Sequence, residues 1–483
     1  MNWRLPMACA LAAVIAGCAS VPDKLPPPTL KARVPLAGLP TSAHAGWPDP
    51  QWWKRYHDPQ LDRLVHMALA NSPNLAVARS RVQQAVQRAR VVAAQSGLSV
   101  GASAQVSRKR MSEHGLIPSK FLGFTWYNQA DLGVQLQYSF DWWGKHQAAV
   151  EAAIGQARAA QAQRSAAALA LQSLIARQWF GWLADQARLK LASERVTAQQ
   201  KLVHIARVRT DAGLESADKV HQARAALAAA RQQQTAFKVS ARTRRASLAA
   251  LLGRAPAQLP ALKAHPLPEP HASLPDDAGI DLIARRPDIA ASRWQVQAAL
   301  RQTDVARAQF LPDISIKALA GLSSIDLGKL FETGSRTFAL TPALHLPIFE
   351  GGLLQANYGM STARLDAAIA QYNATLVDAA REVSTQVLAI QRLARQREQQ
   401  RARVQANVRI ASTARARHAQ GLTSARPALA ARKRLLTQRD AAVALKAQAL
   451  TAGVGLIQAL GGGYRSDVSK STSTTSRSGA SHD

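Results

Sequence analysis

The chain has 483 residues, of which 47% are hydrophobic but only 5% aromatic, a composition that favours helices packed through Ala, Leu and Val. Its 61 Lys and Arg against 30 Asp and Glu give a formal net charge of +31, which excludes an acidic solubilising protein and raises polyanions as candidate partners. Both cysteines lie within the first 18 residues, which excludes a disulfide scaffold, a structural zinc site and a catalytic thiol from the body of the chain.

The N-terminus has the features of an export signal. A charged start at Arg4 precedes the apolar run 7–16, which is too short to span a bilayer. Residues 15–18, Ile-Ala-Gly-Cys, resemble the bacterial lipobox, which implies cleavage before Cys18 and acylation of that cysteine; an ordinary secretory signal is the alternative. Ala19, where an Asp would favour retention at the inner membrane, favours the outer membrane. No later run of eighteen apolar residues is present, so we expect no ordinary transmembrane helix.

The body of the chain is an internal duplication. Segment 71–85 matches 285–299 at an offset of 214 residues, and segment 213–227 matches 421–435 at an offset of 208 residues. Two matches in the same order and at nearly the same offset indicate a twofold repeat. In each repeat the pattern predicts a helix, two strands, a very long helix and a shorter returning helix.

The repeat sets the expected boundaries along the chain. We expect a signal peptide over 1–17, a lipidated N-terminal segment over 18–58, a first repeat over 59–253, an extended Pro-rich linker over 254–275, a second repeat over 276–461 and a disordered tail over 462–483.

Most of each repeat is predicted to be helical. The first helices are expected over 61–96 and 281–309, and proline-free long helices over 144–212 and 352–420. A helix of that length extends about 100 Å, several times the thickness of a bilayer. A seven-residue apolar spacing makes part of this length coiled-coil-like, at Leu189, Val196 and Val203.

The strands have the length and alternation of membrane strands. Apolar residues alternate over 100–106 and 132–140, and again at 314–316 and 338–348, with aromatic residues near the strand ends. Aromatic residues that cap an ordinary soluble sheet would give the same pattern. Strands in lipid must close into a barrel, and four strands are too few. Three copies would supply twelve strands, so we expect a homotrimer.

A set of short motifs is spread along the chain: Cys18, Trp47-Pro48, Trp52-Trp53, Asp58-Pro59-Gln60-Leu61, Ser72-Pro73-Asn74-Leu75, the segment 140–145, Arg286-Pro287-Asp288-Ile289, Phe310-Leu311-Pro312, the segment 347–352 and two Gly-Leu-x-Ser sequences. With these motifs and the repeat, the chain resembles the TolC family of outer-membrane efflux channels, and within it the NodT-type lipoprotein branch. The resemblance covers nearly all of the mature chain.

The resemblance implies a mixed α and β chain: a trimeric β-barrel with four strands per protomer in the Gram-negative outer membrane, continued by a long α-helical barrel in the periplasm. It implies docking to a periplasmic adaptor that is coupled to an inner-membrane pump, whose class the sequence does not specify. The protein would be a passive conduit of a tripartite pump for drugs and other toxic organic compounds.

Other functional classes have weaker support. Gly97-Leu98-Ser99-Val100-Gly101 matches the G-x-S-x-G nucleophile motif, but a helix is expected before it and a strand through it, the wrong order for a catalytic Ser99. No P-loop or H-E-x-x-H motif is present, so we expect neither an enzyme nor a cofactor or metal site. Nucleic-acid binding would rest on charge alone. A structural periplasmic coiled-coil lipoprotein explains the helices but not the strands or the repeat.

The Gly-Leu-x-Ser sequences lie where each long helix reverses. Any helical hairpin needs a reversal residue, and glycine suits one. The resemblance implies in addition that these tips dock the adaptor, through Gly213, Leu214, Ser216, Gly421, Leu422 and Ser424.

The periplasmic gate differs from the family pattern. Many family members carry ring-forming aspartates on the second returning helix, but the matching position here is Ala430. No acid lies between Glu398 and Asp440, and Asp218 is the nearest acid in a comparable place on the first returning helix. The arginines of this span, including Arg426 and Arg432, either coat the solvated outer face or form a cationic ring in the lumen that favours anions.

Overall fold

The structure is a computed structural model that describes residues 21–31, 46–112, 114, 121, 123–270, 274–275 and 278–465. The expected signal peptide 1–17, Cys18 and the tail beyond residue 465 lie outside the described residues.

Both halves of the chain contain the same elements in the same order, which confirms the internal repeat. The first half contains α1 (Pro59–Asn71), α2 (Pro73–Gln95), β1 (Ser99–Arg110), β2 (Trp126–Phe140), α3 (Lys145–Asp211) and α4 (Ala217–Leu251). The second half contains α5 (Ala278–Arg285), α6 (Pro287–Ala308), β3 (Asp313–Ser324), β4 (Arg336–His345), α7 (Leu353–Ala419) and α8 (Ala425–Ala459). Short 3-10 helices lie at Trp52–Tyr56, Pro256–Gln258, Leu327–Lys329 and Thr333–Ser335.

The first helix of each repeat is broken, where the sequence predicted one continuous helix. The break falls at Ser72 in the first repeat and at Arg286 in the second, and a proline follows each of them. Proline lacks the N–H that a continuing helix needs, but it fits the first turn of a new helix. Pro73 and Pro287 therefore begin α2 and α6.

One helix departs from the expectation that no helix could cross a membrane. By length and composition alone, α8 is long and apolar enough to cross a membrane, although 44% of its most apolar window is buried within the structure. Leu450, Val454 and Ile457 belong to the hydrophobic core. This is the pattern of a core helix.

The chain divides into two compact units. One comprises Val82–Ala160, Ser292–Gln371 and the described N-terminal residues up to Thr29, and it contains the sheet. The other comprises Leu30, Lys31 and the remaining described residues from Gly46 onward, and it contains the core and both helix reversals.

The sheet is antiparallel, with the order β1-β2-β3-β4, so β1 and β4 are its edges. Its register aligns the apolar residues on one face: Ala104 pairs with Leu132, Leu132 with Leu322, and Ala320 with Phe338. Much of this apolar face is exposed, as Val106 (69%), Phe338 (76%) and Leu340 (69%) illustrate.

The main core packs around two aromatic residues of α3, Trp179 and Phe180, which are both fully buried. The Pro-rich linker contributes to this core, because Leu259 and Leu267 are buried in it. Residues 254–270 therefore pack within the second unit, whereas the sequence predicted only an extended linker and not its contacts.

Candidate functional site

The first helix reversal, between α3 and α4, has the hydrogen bonds of a Schellman cap. Gly213 has a φ of 71°, in the left-handed region that favours glycine. The N–H of Gly213 donates to the carbonyl of Thr210 (2.9 Å), and the N–H of Leu214 donates to the carbonyl of Arg209 (2.8 Å).

The second reversal, between α7 and α8, repeats this geometry. Gly421 has a φ of 72°. Its N–H donates to the carbonyl of His418 (3.0 Å), and the N–H of Leu422 donates to the carbonyl of Arg417 (2.9 Å). The two reversals are therefore the same structure built from the same Gly-Leu-x-Ser pattern.

Both reversals present an apolar side chain to solvent. Leu214 is 64% exposed and Leu422 is 69% exposed. A Cβ added at either glycine would meet nothing within 4 Å. Ser216 and Ser424 begin the returning helices as N-cap residues, and both are exposed. Each reversal therefore exposes a leucine side chain and has open space at its glycine, so both are accessible to a binding partner.

The two reversals are linked by a carboxylate of the first one. Glu215 accepts a hydrogen bond from Nε of Arg209 (3.1 Å) and another from Nη1 of Arg426 on α8. Desolvation of the Glu215 carboxyl acts to raise its pKa, but these hydrogen bonds and the two positive charges outweigh it and hold the pKa below its ordinary value. Glu215 is therefore ionised at neutral pH and bridges the repeats.

Glu215 was not among the residues that the sequence predicted for the tips or the gate. The signal was available, because the equivalent position of the second repeat is Thr423, so the two Gly-Leu-x-Ser sequences differ there. A charge present in only one of two duplicated tips can pair with the other tip, and here Arg426 supplies the opposite charge.

The other residues of the predicted gate lie along the same helices. Arg432 forms an ion pair with Glu194 of α3 (3.4 Å) and is 57% exposed. Asp218 is exposed on α4, and Ala430 is half-buried on α8. The structure thus pairs both arginines with carboxylates of the first repeat, while Asp218 lies on the exposed surface.

A groove separates α3 from the end of α7 and the start of α8. Its volume is about 1140 Å³. Its floor is apolar, with Ile205, Val408 and Leu436. Its charged lining consists of Lys201, Arg415, Arg432, Arg439 and Glu194, four cations against one anion, with His204 and His418 beside them. Arg432 and Glu194 neutralise each other, so the remaining three cations leave the groove with a net positive charge.

The serine of the G-x-S-x-G motif lies at the start of β1, with α2 before it. Its hydroxyl is 3.4 Å from the carbonyl oxygen of Gln137, its partner in the sheet register, and the residue is exposed. A nucleophile elbow needs a strand before the serine and a helix after it, which is the reverse of this order.

The described N-terminal residues run beside the helices next to the sheet. Arg307, near the end of α6, donates to the carbonyl of Pro22 (2.8 Å), and Tyr358 of α7 donates to the carbonyl of Asp23 (3.2 Å). β3 begins at Asp313, shortly after Arg307. Pro22 therefore lies close to the junction of helices and strands.

Comparisons with known proteins agree with this architecture. The sequence profile described as outer membrane efflux protein matches residues 64–254 and 280–462. The multidrug resistance outer membrane protein MdtP of Escherichia coli K12 is 35% identical over 461 residues, 94% of each chain. MdtQ of Escherichia coli O157:H7 is 32% identical over 467 residues, 94% of this chain and 96% of the relative.

Solved structures share the fold. The outer membrane protein VceC of Vibrio cholerae superposes with a TM-score of 0.78 at 32% identity, covering 87% of this chain and all of VceC (100%). The outer membrane channel CmeC of Campylobacter jejuni superposes with a TM-score of 0.83 over 95% of this chain and 98% of CmeC, at 24% identity, which shows the fold alone. The chain therefore belongs to the outer membrane efflux protein family, as the profile match, the sequence identity to MdtP and the shared fold of VceC show.

Proposed function

We propose that this protein is the outer-membrane channel of a tripartite efflux pump, a passive conduit for small organic molecules such as drugs. The exposed apolar face of the sheet carries this proposal. A face that includes Val106 (69% exposed), Phe338 (76%) and Leu340 (69%) is unfavourable in water but suits lipid.

The edges of the sheet support a trimer. β1 and β4 are edge strands, and a strand edge in lipid leaves backbone groups without hydrogen-bond partners. Joining β4 of one copy to β1 of the next removes every edge, and three copies give twelve strands. The names of MdtP and MdtQ describe multidrug resistance outer membrane proteins, and this supports the assignment of drugs as cargo.

The channel proposal is tested by purification and by reconstitution. The full-length protein should run as a heat-resistant trimer on SDS gels and should give discrete conductance steps in planar bilayers. In cells that lack their own channel, it should restore drug export when the matching adaptor and pump are supplied. Trimers or monomers without conductance would instead favour the structural coiled-coil lipoprotein.

We assign adaptor docking to the two reversals. Their exposed leucines, Leu214 and Leu422, and the open space at Gly213 and Gly421 support a helical partner that packs closely. The serines Ser216 and Ser424 add small polar surface beside each leucine. The pump in the inner membrane would supply the energy through the adaptor.

We propose that the cationic groove faces the lumen and determines the ion selectivity of the channel. Lys201, Arg415, Arg432 and Arg439 outnumber Glu194, and a focused positive potential favours anions. We expect a reversal potential of anion-selective sign under a KCl gradient in planar bilayers. The double substitution of Arg432, which lines the groove, and of Arg426, at the neighbouring tip, by Ala should reduce that selectivity. Clear cation selectivity, unchanged by the double substitution, would contradict the assignment.

Lipidation at Cys18 gives a further prediction. Pro22, four residues later, is hydrogen-bonded to Arg307 near the start of the strands, and four extended residues reach about 14 Å. An acylated Cys18 within this reach of Pro22 would lie close to the membrane surface, which supports the lipidation proposal. Cys18→Ser should abolish labelling by radioactive palmitate, whereas Cys9→Ser, in the removed signal, should leave it unchanged. Palmitate labelling of Cys18→Ser at the wild-type level would refute lipidation.

A further inference from the structure

Arginines interrupt the apolar face of the sheet at one end. Alternate residues of a strand lie on the same face, so Arg108 and Arg110 of β1 continue the face formed by Val100, Ala102, Ala104 and Val106. Both arginines are exposed. Charged side chains on a lipid-facing surface are unfavourable at the middle of a bilayer and tolerated near its surfaces.

The register shows which end of the sheet this is. β1 starts soon after α2, and β2 ends shortly before α3, so the helices join the sheet at Ser99 and Phe140. Arg110 pairs with Trp126 and Arg108 with Asn128, at the opposite end of the hairpin. In the channel proposed above, on which this inference rests, the helices occupy the periplasm. The arginines therefore reach the outer leaflet.

Trp126 lies at the same end of the sheet as these arginines, because it pairs with Arg110. Trp126 is 54% exposed, and the guanidinium carbon of Arg108 lies 5.6 Å from the centre of its ring. Tryptophan is enriched at the membrane–water interface, and its ring attracts a cation placed over it.

The second hairpin repeats the arrangement. Arg336, at the start of β4, pairs with Leu322, and Phe338, on the same face, pairs with Ala320. Both halves of the duplicated sheet thus place an arginine beside an aromatic residue at the end farthest from the helices.

We propose that Arg108 and Arg110 bind the phosphate groups of the anionic glycolipid that forms the outer leaflet. The planar guanidinium donates two parallel hydrogen bonds to a phosphate, and its charge complements the lipid. Lys109, between the two arginines in the strand, lies on the opposite face of the sheet, where its Nζ donates to Oε1 of Gln129 (3.2 Å). A phosphate site on the lipid face would therefore use the two arginines and not the lysine between them.

The test measures binding of fluorescent lipopolysaccharide to full-length trimers in detergent, by anisotropy at low salt. The double variant Arg108→Gln with Arg110→Gln should bind about tenfold more weakly, since each basic residue near an anionic surface contributes appreciably to affinity. The matched control Lys109→Gln should bind as the wild type does. Dephosphorylated lipopolysaccharide should bind the wild type as weakly as the double variant binds the intact lipid.

Several results would overturn the proposal: wild-type affinity in the double variant, an equal loss in Lys109→Gln, or equal affinity for intact and dephosphorylated lipid. Equal binding to phosphatidylglycerol micelles would reject the glycolipid as the specific ligand. If the glutamine variant fails to form trimers, the double variant Arg108→Lys with Arg110→Lys replaces it. Its affinity for lipopolysaccharide should lie between that of the wild type and the roughly tenfold weaker affinity expected for the glutamine variant. Normal conductance and export together with phosphate-independent binding would refute this site alone, whereas a wild-type trimer without conductance would refute the channel.

Discussion

Gly421→Trp is expected to abolish drug export while leaving trimers in the outer membrane. A Cβ at this position would meet nothing within 4 Å, so the added side chain starts in open space at the tip and its cost to its own protomer is the backbone strain at this φ. It would occupy the space beside Leu422 that we assign to the adaptor. Export should fall to the level of cells without the channel, measured as drug accumulation with the matching adaptor and pump present.

The control for this experiment is Gly421→Ala. Its φ of 72° makes any side chain unfavourable by roughly 1–2 kcal/mol, and alanine adds that strain without the bulk of tryptophan. Gly421→Ala should therefore keep most of its export. Normal export by Gly421→Trp would refute docking at this tip, and equal losses in both variants would attribute the effect to backbone strain.

Asp58→Ala is expected to lower the free energy of unfolding by about 3 kcal/mol. The Asp58 side chain is buried and accepts hydrogen bonds from the backbone N–H groups of Gln60 (2.9 Å) and Leu61 (3.1 Å), which cap α1. It also accepts from Nε1 of Trp179 (2.5 Å) and lies 3.0 Å from Nε2 of His265. Alanine would leave the Trp179 donor unpaired in the core.

The measurement is the midpoint of thermal unfolding of the purified protein, followed by circular dichroism. A decrease of several degrees is expected for Asp58→Ala, and a smaller one for Asp58→Asn, which keeps one acceptor oxygen. The matched control is Asp378→Ala. Its carboxylate is 63% exposed and pairs with Arg381, and exposed pairs contribute little. Equal midpoints for Asp58→Ala and Asp378→Ala would contradict the role assigned to Asp58.

The sequence predicted the position of both helix reversals, whereas the partners of the gate arginines became evident only in the structure. A Gly-Leu pair at the end of a long proline-free segment defines a helix cap through local backbone rules, and both tips have the predicted reversal. Whether a given arginine is paired depends on how neighbouring helices are rotated about their axes. Glu215 and Arg426 are 211 residues apart, and no local pattern connects them.

The same contrast holds in the body of the protein. The alternation in β1 to β4 and the duplicated motifs were sufficient to predict four strands, two long helices and the family, because period two, period 3.6 and repeats are properties of the chain itself.

Asp58 was identified from the sequence only as part of a motif. Its contacts with Trp179 and His265, which lie 121 and 207 residues away, exist only once α1, α3 and the linker pack together. Arg286 is similar: the motif identified it, but only the packing of α5, α6 and α8 buries its guanidinium against the carbonyl of Ala459 (3.0 Å). Local periodicity therefore determined the elements, while the burial and partners of individual polar side chains were decided by tertiary packing, since desolvation and hydrogen-bond geometry depend on groups that are distant in the sequence.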